Sequence, residues 1–144
     1  MNIEEIQSEW SKDSNVDKFR LTEESLNVPK LHEKYYRLYF EERMRLHKLK
    51  MHHDELEHIL TDFFKKNLTT EELAEYDLEY PDKKIMNADV PRHVMNHKDM
   101  VELNMKIAVC QEKLEMIKSI LKQVDQRSFQ INNAIKNRIF EAGG

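Results

Sequence analysis

The chain has 144 residues and a formal net charge of −4, and its only glycines, Gly143 and Gly144, are its last two residues. Phosphate-cradling loops and dinucleotide fingerprints need glycines at fixed spacings, so residues 1–142 exclude both. The single cysteine excludes an intrachain disulfide, and no apolar run approaches the roughly 18 residues of a membrane span. We therefore expect one all-α domain over residues 1–144, in a reducing compartment.

Residues 1–28 predict a short N-terminal helix followed by an extended connector. Ile3, Ile6 and Trp10 recur at spacings of three and four, which gives a helix one apolar stripe. Residues 13–28 are rich in turn-forming and cap-forming types, so we expect them to lie extended across other surfaces.

The first long helix is predicted over residues 29–67. Pro29 suits a first helical turn, and the cations Lys65 and Lys66 lie at the end where the helix dipole favours positive charge. The apolar stripe of this helix shifts its phase around Glu42. After that shift it comprises Leu46, Leu49, His53, Leu56, Leu60 and Phe63.

Residues 68–97 predict an acidic connector that contains a short helix. Thr69 and Glu72 have the spacing of a capping box, in which each side chain accepts from the other residue's backbone N–H. Six acidic and no basic residues lie within 71–82.

The strongest periodic pattern predicts a C-terminal heptad helix over residues 98–141. Its apolar residues alternate in steps of three and four, which describes a helix of about 40 residues and roughly 60 Å. A stripe this long must pair with the first long helix, with copies of itself, or with both. We predict a helical hairpin with coiled-coil character that assembles as a ring-like homo-oligomer. The predicted oligomerisation residues are Leu103, Ile107, Leu114, Ile117, Leu121, Val124, Ile131 and Ile135.

Catalytic and metal chemistry find little support in the sequence. The histidines and acids of residues 52–58 do not have the H-E-x-x-H spacing, so we predict no metal site, and a histidine-metal hydrolase is only the enzymatic alternative. Cys110 falls at a heptad core position, where it acts as a small hydrophobe. We predict neither an enzyme nor a cofactor.

Aromatic and basic residues alternate along the first long helix. Tyr35, Tyr36 and Phe40 lie close to several lysines and arginines, a mixture in which rings stack on bases and cations neutralise phosphates. The same mixture is typical of a helix whose aromatics form a core and whose lysines cover its edge. A second basic set has the same two readings, and it comprises Lys118, Lys122, Arg127, Lys136 and Arg138.

The two ends of the chain carry more specific motifs. Residues 6–17 read IQSEWSKDSNVD, residues 28–36 read VPKLHEKYY, residues 127–136 read RSFQINNAIK and residues 140–143 read FEAG. In this order and at this total length, the chain resembles the UvsY recombination mediators of large tailed bacteriophages over almost its whole extent.

The resemblance implies a non-enzymatic accessory of phage homologous recombination, repair and replication. It implies a homo-oligomer, a hexamer or heptamer, that binds single-stranded DNA and contacts the phage single-strand-binding protein and a RecA-like recombinase. It also implies the cytoplasm of the infected bacterial host and no membrane partner. A structural coiled-coil oligomerisation protein without DNA binding is the alternative.

The family pattern also implies a basic stretch late in the first long helix, then an aromatic pair and a glycine turn. Here the pair is Phe63-Phe64, residues 56–60 hold no lysine or arginine, and Lys65-Lys66-Asn67 replaces the glycine turn. We therefore expect the DNA contacts among the cations and rings nearby, and the acidic segments 1–24 and 71–82 to meet basic surfaces of partner proteins. The expected DNA-binding residues are Arg43, Arg45, Lys48, Lys50, His58, Phe63, Phe64, Lys65 and Lys66.

Overall fold

The computed structural model describes residues 1–143, so Gly144, the end of the predicted domain, lies outside the described residues. Its helices are α1 (Ile3–Asp13), α2 (Leu21–Phe64), α3 (Thr70–Glu75), α4 (Val90–Asn96) and α5 (Lys98–Glu141), with a 3-10 turn at Asn87–Asp89. The described chain contains no strand, which confirms the predicted all-α class with two long helices. No helix within residues 1–143 is both long and apolar enough to cross a membrane.

The chain divides into two compact units, which are described separately. The first comprises Met1–Met44 and the chain from Cys110 onward, and the second comprises Arg45–Val109. Each long helix contributes one segment to each unit. The single predicted domain thus contains two separate hydrophobic clusters.

Helix α2 begins at Leu21, eight residues before the predicted start at Pro29, so residues 21–28 are helical and not an extended connector. Glu23 and Glu24 lie in its first turn, where the helix dipole favours acidic side chains, and Leu21 is buried. Pro29 lies inside the helix, where a proline removes one backbone hydrogen bond without having to end the helix.

The first unit packs α1 onto the antiparallel pair formed by α2 and α5. Its buried cluster includes Ile6 of α1, Tyr35 of α2 and Ile117 of α5, and the ring of Trp10 meets Tyr35 edge to face at a centroid distance of 5.5 Å. The antiparallel direction confirms the predicted hairpin within this unit, because residue 42 faces residue 113 and residue 32 faces residue 125.

A polar network fastens the end of α1 in the same unit. The Asp13 carboxylate accepts hydrogen bonds from the Tyr35 hydroxyl at 2.9 Å and from Lys34 Nζ at 2.6 Å, and Lys34 also reaches Glu9 at 2.7 Å. Arg127 donates to the backbone carbonyl of Asp13 at 2.6 Å. These contacts hold α1 in place although it is too short to be stable alone.

The predicted α5 stripe separates into two rows. Every seventh residue is buried within the chain, and these are Leu103, Cys110, Ile117, Val124 and Ile131. The alternate members Ile107, Leu114, Leu121 and Ile135 are only partly buried, and Ser128 is exposed. The residues that directly precede Leu114, Leu121 and Ser128 are buried, and they are Lys113, Ile120 and Arg127. The first row therefore packs inside the chain, while the second lies at the margin of that packing.

A buried charge pair explains the phase shift of α2 at Glu42. Lys113 Nζ lies 3.3 Å from both Glu42 carboxylate oxygens, and the two side chains are only 9% and 10% exposed. The Cys110 thiol donates to the Glu42 backbone carbonyl at 3.4 Å. A charge pair with so little solvent is costly to break from one side, so it fixes the pairing of the two helices here.

The second unit buries the end of α2 against the connector and the start of α5. Its cluster comprises Leu60, Phe63, Leu68, Val90, Val94 and Met100. The Tyr80 ring stacks on Phe63 at 5.7 Å, and its hydroxyl donates to the Leu68 carbonyl. Thr69 and Glu72 form the predicted capping box at the start of α3, with both hydrogen bonds at 3.2 Å.

Candidate nucleic-acid interface

The cations predicted to bind DNA lie at exposed positions of α2 and of the turn that follows it, and Lys48 and Lys50 lie on opposite flanks of the helix because they are two residues apart. Lys48, Lys50, Lys65 and Lys66 of the second unit are exposed, as is Arg43 of the first. Over residues 1–143, none of these five forms an ion pair with a carboxylate within 4.0 Å. A lysine that is not held in an ion pair can neutralise a phosphate without first breaking that pair.

The end of α2 keeps the backbone of a glycine turn without the glycine. The Asn67 N–H donates to the Asp62 carbonyl at 2.9 Å and the Lys66 N–H donates to the Phe63 carbonyl at 3.0 Å, which is the Schellman pattern. Lys66 occupies the left-handed position of this pattern with a φ of 59°. A lysine is strained there, because the left-handed region favours glycine.

The aromatic pair is placed for packing more than for stacking on bases. Phe63 is 5% exposed and lies between the Phe64 ring at 4.9 Å and the Tyr80 ring at 5.7 Å. Phe64 is half-buried against the rings of His93 and His97. A base would reach Phe63 only if this cluster opened, so we leave Phe63 out of the proposed interface.

Lys65 borders a concave surface of about 330 Å³ in the second unit. Its polar side is formed by His53, Glu57 and Thr61 of α2, and its apolar side includes Val94 and Met95 of α4. A mostly apolar hollow with a few polar groups is a common form of binding site. Glu57 places a carboxylate beside the lysine, so this hollow is electrostatically mixed.

The histidine and acid cluster of residues 52–58 has its ligand-type atoms close together. His53 Nδ1 lies 3.3 Å from Asp54 Oδ1 and 3.9 Å from Glu57 Oε2. These are the ligand atoms a cation would use, and they all lie within 4.8 Å of one another. The two acids are exposed, and all three residues belong to one helix. A half-buried histidine beside two surface acids gives this arrangement without a bound metal ion. His58 of the same helix lies 3.5 Å from Asp62.

The sequence did not predict the burial of two cations. Lys113 and Arg127 are buried although they lie beside the predicted stripe and not in it. The phase shift at Glu42 is the one sequence feature that points toward Lys113. Nothing in the sequence pairs Arg127 with the backbone of Asp13, because that contact joins residues 114 positions apart.

A comparison with models of protein families identifies one family. A family model described as "Recombination, repair and ssDNA binding protein UvsY" matches residues 9–144. No curated protein matches the chain by sequence.

Solved structures of a bacteriophage T4 protein share the fold. They are crystal structures of the T4 recombination mediator protein UvsY in three lattice types. Lattice type II is 18% identical with a TM-score of 0.85, covering 99% of this chain and 98% of that one. Type IV is 17% identical with a TM-score of 0.80, covering 98% and 99%, and type I is 16% identical with a TM-score of 0.83, covering 95% and 98%. Since the family model spans nearly the whole sequence, the chain belongs to the UvsY family of recombination, repair and single-stranded-DNA-binding proteins.

Proposed function

We propose that this protein is a recombination mediator that acts in phage homologous recombination, repair and recombination-dependent replication. It binds single-stranded DNA, helps a RecA-like recombinase replace the phage single-strand-binding protein, and helps the recombinase nucleate its filament. The family match over residues 9–144 is the observation that carries this proposal. The site of action is the cytoplasm of the infected bacterial host.

The DNA contacts proposed for the second unit are the exposed cations of α2 and of the turn that follows it. Lys48, Lys50, Lys65 and Lys66 would each contact a phosphate, and Arg43 of the first unit and Arg45 would add to them. His58 and Phe64 stand nearby at the end of α2. A chain with a net charge of −4 gains affinity when these cations of several copies act on one strand.

The assembly that supplies those copies is a ring-like homo-oligomer, a hexamer or heptamer in our proposal. Leu103, Ile117, Val124 and Ile131 are already buried inside the chain. The contact between copies therefore rests on the partly exposed row of α5, which comprises Ile107, Leu114, Leu121 and Ile135.

Mediation in this proposal is a binding activity without catalysis. The missing glycine loops fit a division of labour in which the recombinase hydrolyses ATP and this protein holds the strand. The acidic segments 1–24 and 71–82 would meet basic surfaces of the recombinase and of the single-strand-binding protein.

A salt titration of DNA binding tests the proposal. Binding of a labelled oligo(dT) at several salt concentrations should give a plot of log K against log[salt] with a slope of about −0.7 per phosphate contacted. The double variant Lys48→Gln/Lys50→Gln should weaken binding and make the slope less negative by about 1.4. Lys106→Gln is the matched control, because Lys106 of the same unit already pairs with Glu102 at 3.5 Å. Absence of binding even at low salt would favour the structural coiled-coil alternative.

A further inference from the structure

The outer face of α5 in the first unit carries a row of cations and rings that the interface above does not use. Lys118, Lys122, Phe129, Lys136 and Phe140 are spaced by 4, 7, 7 and 4 residues, which places them on one face of a helix. The row extends over roughly 33 Å at 1.5 Å per residue. All five side chains are exposed, and the two phenylalanines are 72% and 79% exposed.

This row lies opposite the face of α5 that packs inside the unit. Ile120, Val124 and Ile131 are buried, and their positions are turned by about half a helical revolution from the row. The two rings therefore contribute nothing to the first unit's hydrophobic cluster. Both rings are therefore accessible to a partner that reaches this face of α5.

The structure also separates the second basic set into two groups. Arg127 is buried with its guanidinium group over the Trp10 ring, and Arg138 donates to the backbone carbonyl of Lys18. Lys118, Lys122 and Lys136 form no ion pair within 4.0 Å among residues 1–143. The three lysines that form no ion pair are therefore the three that lie in the row.

Two acids lie at the edges of the row. Asp125 Oδ1 is 3.7 Å from His32 Nε2, and Glu115 is exposed near the Lys118 end. The centre line of the row holds only positive or aromatic groups from Lys118 to Phe140. The local charge is therefore positive although the whole chain is acidic.

We propose that this outer row of α5 is a second track for single-stranded nucleic acid, with bases on Phe129 and Phe140 and phosphates at the three lysines. Alternating rings and cations suit a strand, because every base has a face to stack and every link has a charge to neutralise. Row-to-row docking of two copies in a two-fold dimer would oppose like charges, which costs binding free energy, and contact of the row with another face of a second copy is an outcome of the test below. This inference rests on the proposed function and adds a second surface to it.

The test compares two variants of the full chain in the same oligo(dT) titration. Phe129→Leu/Phe140→Leu should weaken binding at least about fivefold per ring and leave the salt slope unchanged, because stacking is lost and charge is kept. Lys118→Gln/Lys122→Gln/Lys136→Gln should make the slope less negative by about 2, because three phosphate contacts are lost.

Matched controls lie in the same unit. Phe19→Leu removes a ring that is 79% exposed and lies outside the row, and Lys12→Gln removes an exposed lysine of α1. Both should bind like the unaltered protein. Unchanged melting temperatures would show that all variants fold. If a multiple variant does not fold, the single variant Lys122→Gln replaces it in the titration.

Three results would overturn the inference, and they differ in what else they affect. If the row variants bind normally while Lys48→Gln/Lys50→Gln does not, the inference is wrong and the proposed function stands. If Phe129→Leu/Phe140→Leu changes the oligomer mass in native mass spectrometry, the row is a contact between copies. If the unaltered protein binds no single-stranded DNA at low salt, the proposed function and the inference both fail.

Discussion

At the scale of one residue, Lys66 combines a backbone conformation that favours glycine with a cationic side chain. Its φ of 59° lies in the left-handed region that favours glycine, within the turn where the resemblance implies a glycine. The Schellman hydrogen bonds persist because they use only backbone atoms, which any residue possesses. A lysine at this position puts a cation at the end of α2 at the cost of backbone strain.

Lys66→Gly should therefore stabilise the protein and weaken its DNA binding. Relief of the left-handed strain, less the added freedom of glycine in the unfolded chain, should raise the free energy of unfolding by about 0.5–1 kcal/mol. Loss of one phosphate contact should make the salt slope less negative by about 0.7. Urea denaturation and the oligo(dT) titration measure the two effects.

Lys65→Gly is the control, because residue 65 does not have a positive φ and a glycine there relieves nothing. It should lower the free energy of unfolding. Equal effects of the two glycine substitutions on unfolding would contradict the strain assigned to Lys66.

At the scale of elements, the sequence predicted the helices well and their ends less well. The α5 period is continuous, so its existence and its core row, such as Ile117 and Val124, could be predicted. The start of α2 could not, because Pro29 is equally compatible with a first turn and with a helix interior that lacks one hydrogen bond.

The candidate site was less predictable than the helices. The exposed lysines of α2 could be recognised from their positions off the apolar stripe. Phe63 was already part of that stripe, yet its family position favoured DNA, and only the stacked Tyr80 ring shows that it is a packing residue. The buried pairing of Lys113 with Glu42 needs contacts across 71 residues, which periodicity does not contain.

Docking of α1 should depend on pH at both extremes. The hydrogen bond and positive charge of Lys34 lower the pKa of Glu9 below its ordinary 4.5, so this stabilisation is present above pH 4.5 and is lost as the pH falls through the lowered value. Burial and the hydrogen bond to Asp13 raise the pKa of Tyr35 above 10.0, so that stabilisation is lost at high pH. Burial lowers the pKa of Lys34, but its bonds to Asp13 and Glu9 outweigh burial and raise it above 10.5, which adds to the alkaline loss.

Trp10, the only tryptophan, reports on this docking through its fluorescence. Its emission should stay constant between pH 4.5 and 10.0 and shift toward that of an exposed indole on both sides of this range. In Lys34→Gln the acid transition should diminish, because the pKa of Glu9 is then no longer lowered by Lys34 and its protonation changes the docking of α1 little. An acid transition of the same size at the same pH in both proteins would contradict this role of Lys34.

At the scale of the whole molecule, the absence of glycine from residues 1–142 is consistent with the long helices. Uninterrupted helix lets a chain of 144 residues carry an internal seam and also expose a second apolar row on α5. The buried row of α5 packs within one chain. The partly exposed row would pack only in an assembly of several chains. The proposed mediation would need that assembly, because a single acidic chain offers only a few phosphate contacts.

The most direct test of mediation follows ATP hydrolysis by a RecA-like recombinase on single-stranded DNA that is covered by the phage single-strand-binding protein. Our account predicts that this protein shortens the lag before hydrolysis. It also predicts that Leu121→Asp, which places a charge in the partly exposed row of α5, lowers the oligomer mass and no longer shortens the lag. A lag that the unaltered protein leaves unchanged or lengthens would contradict the account.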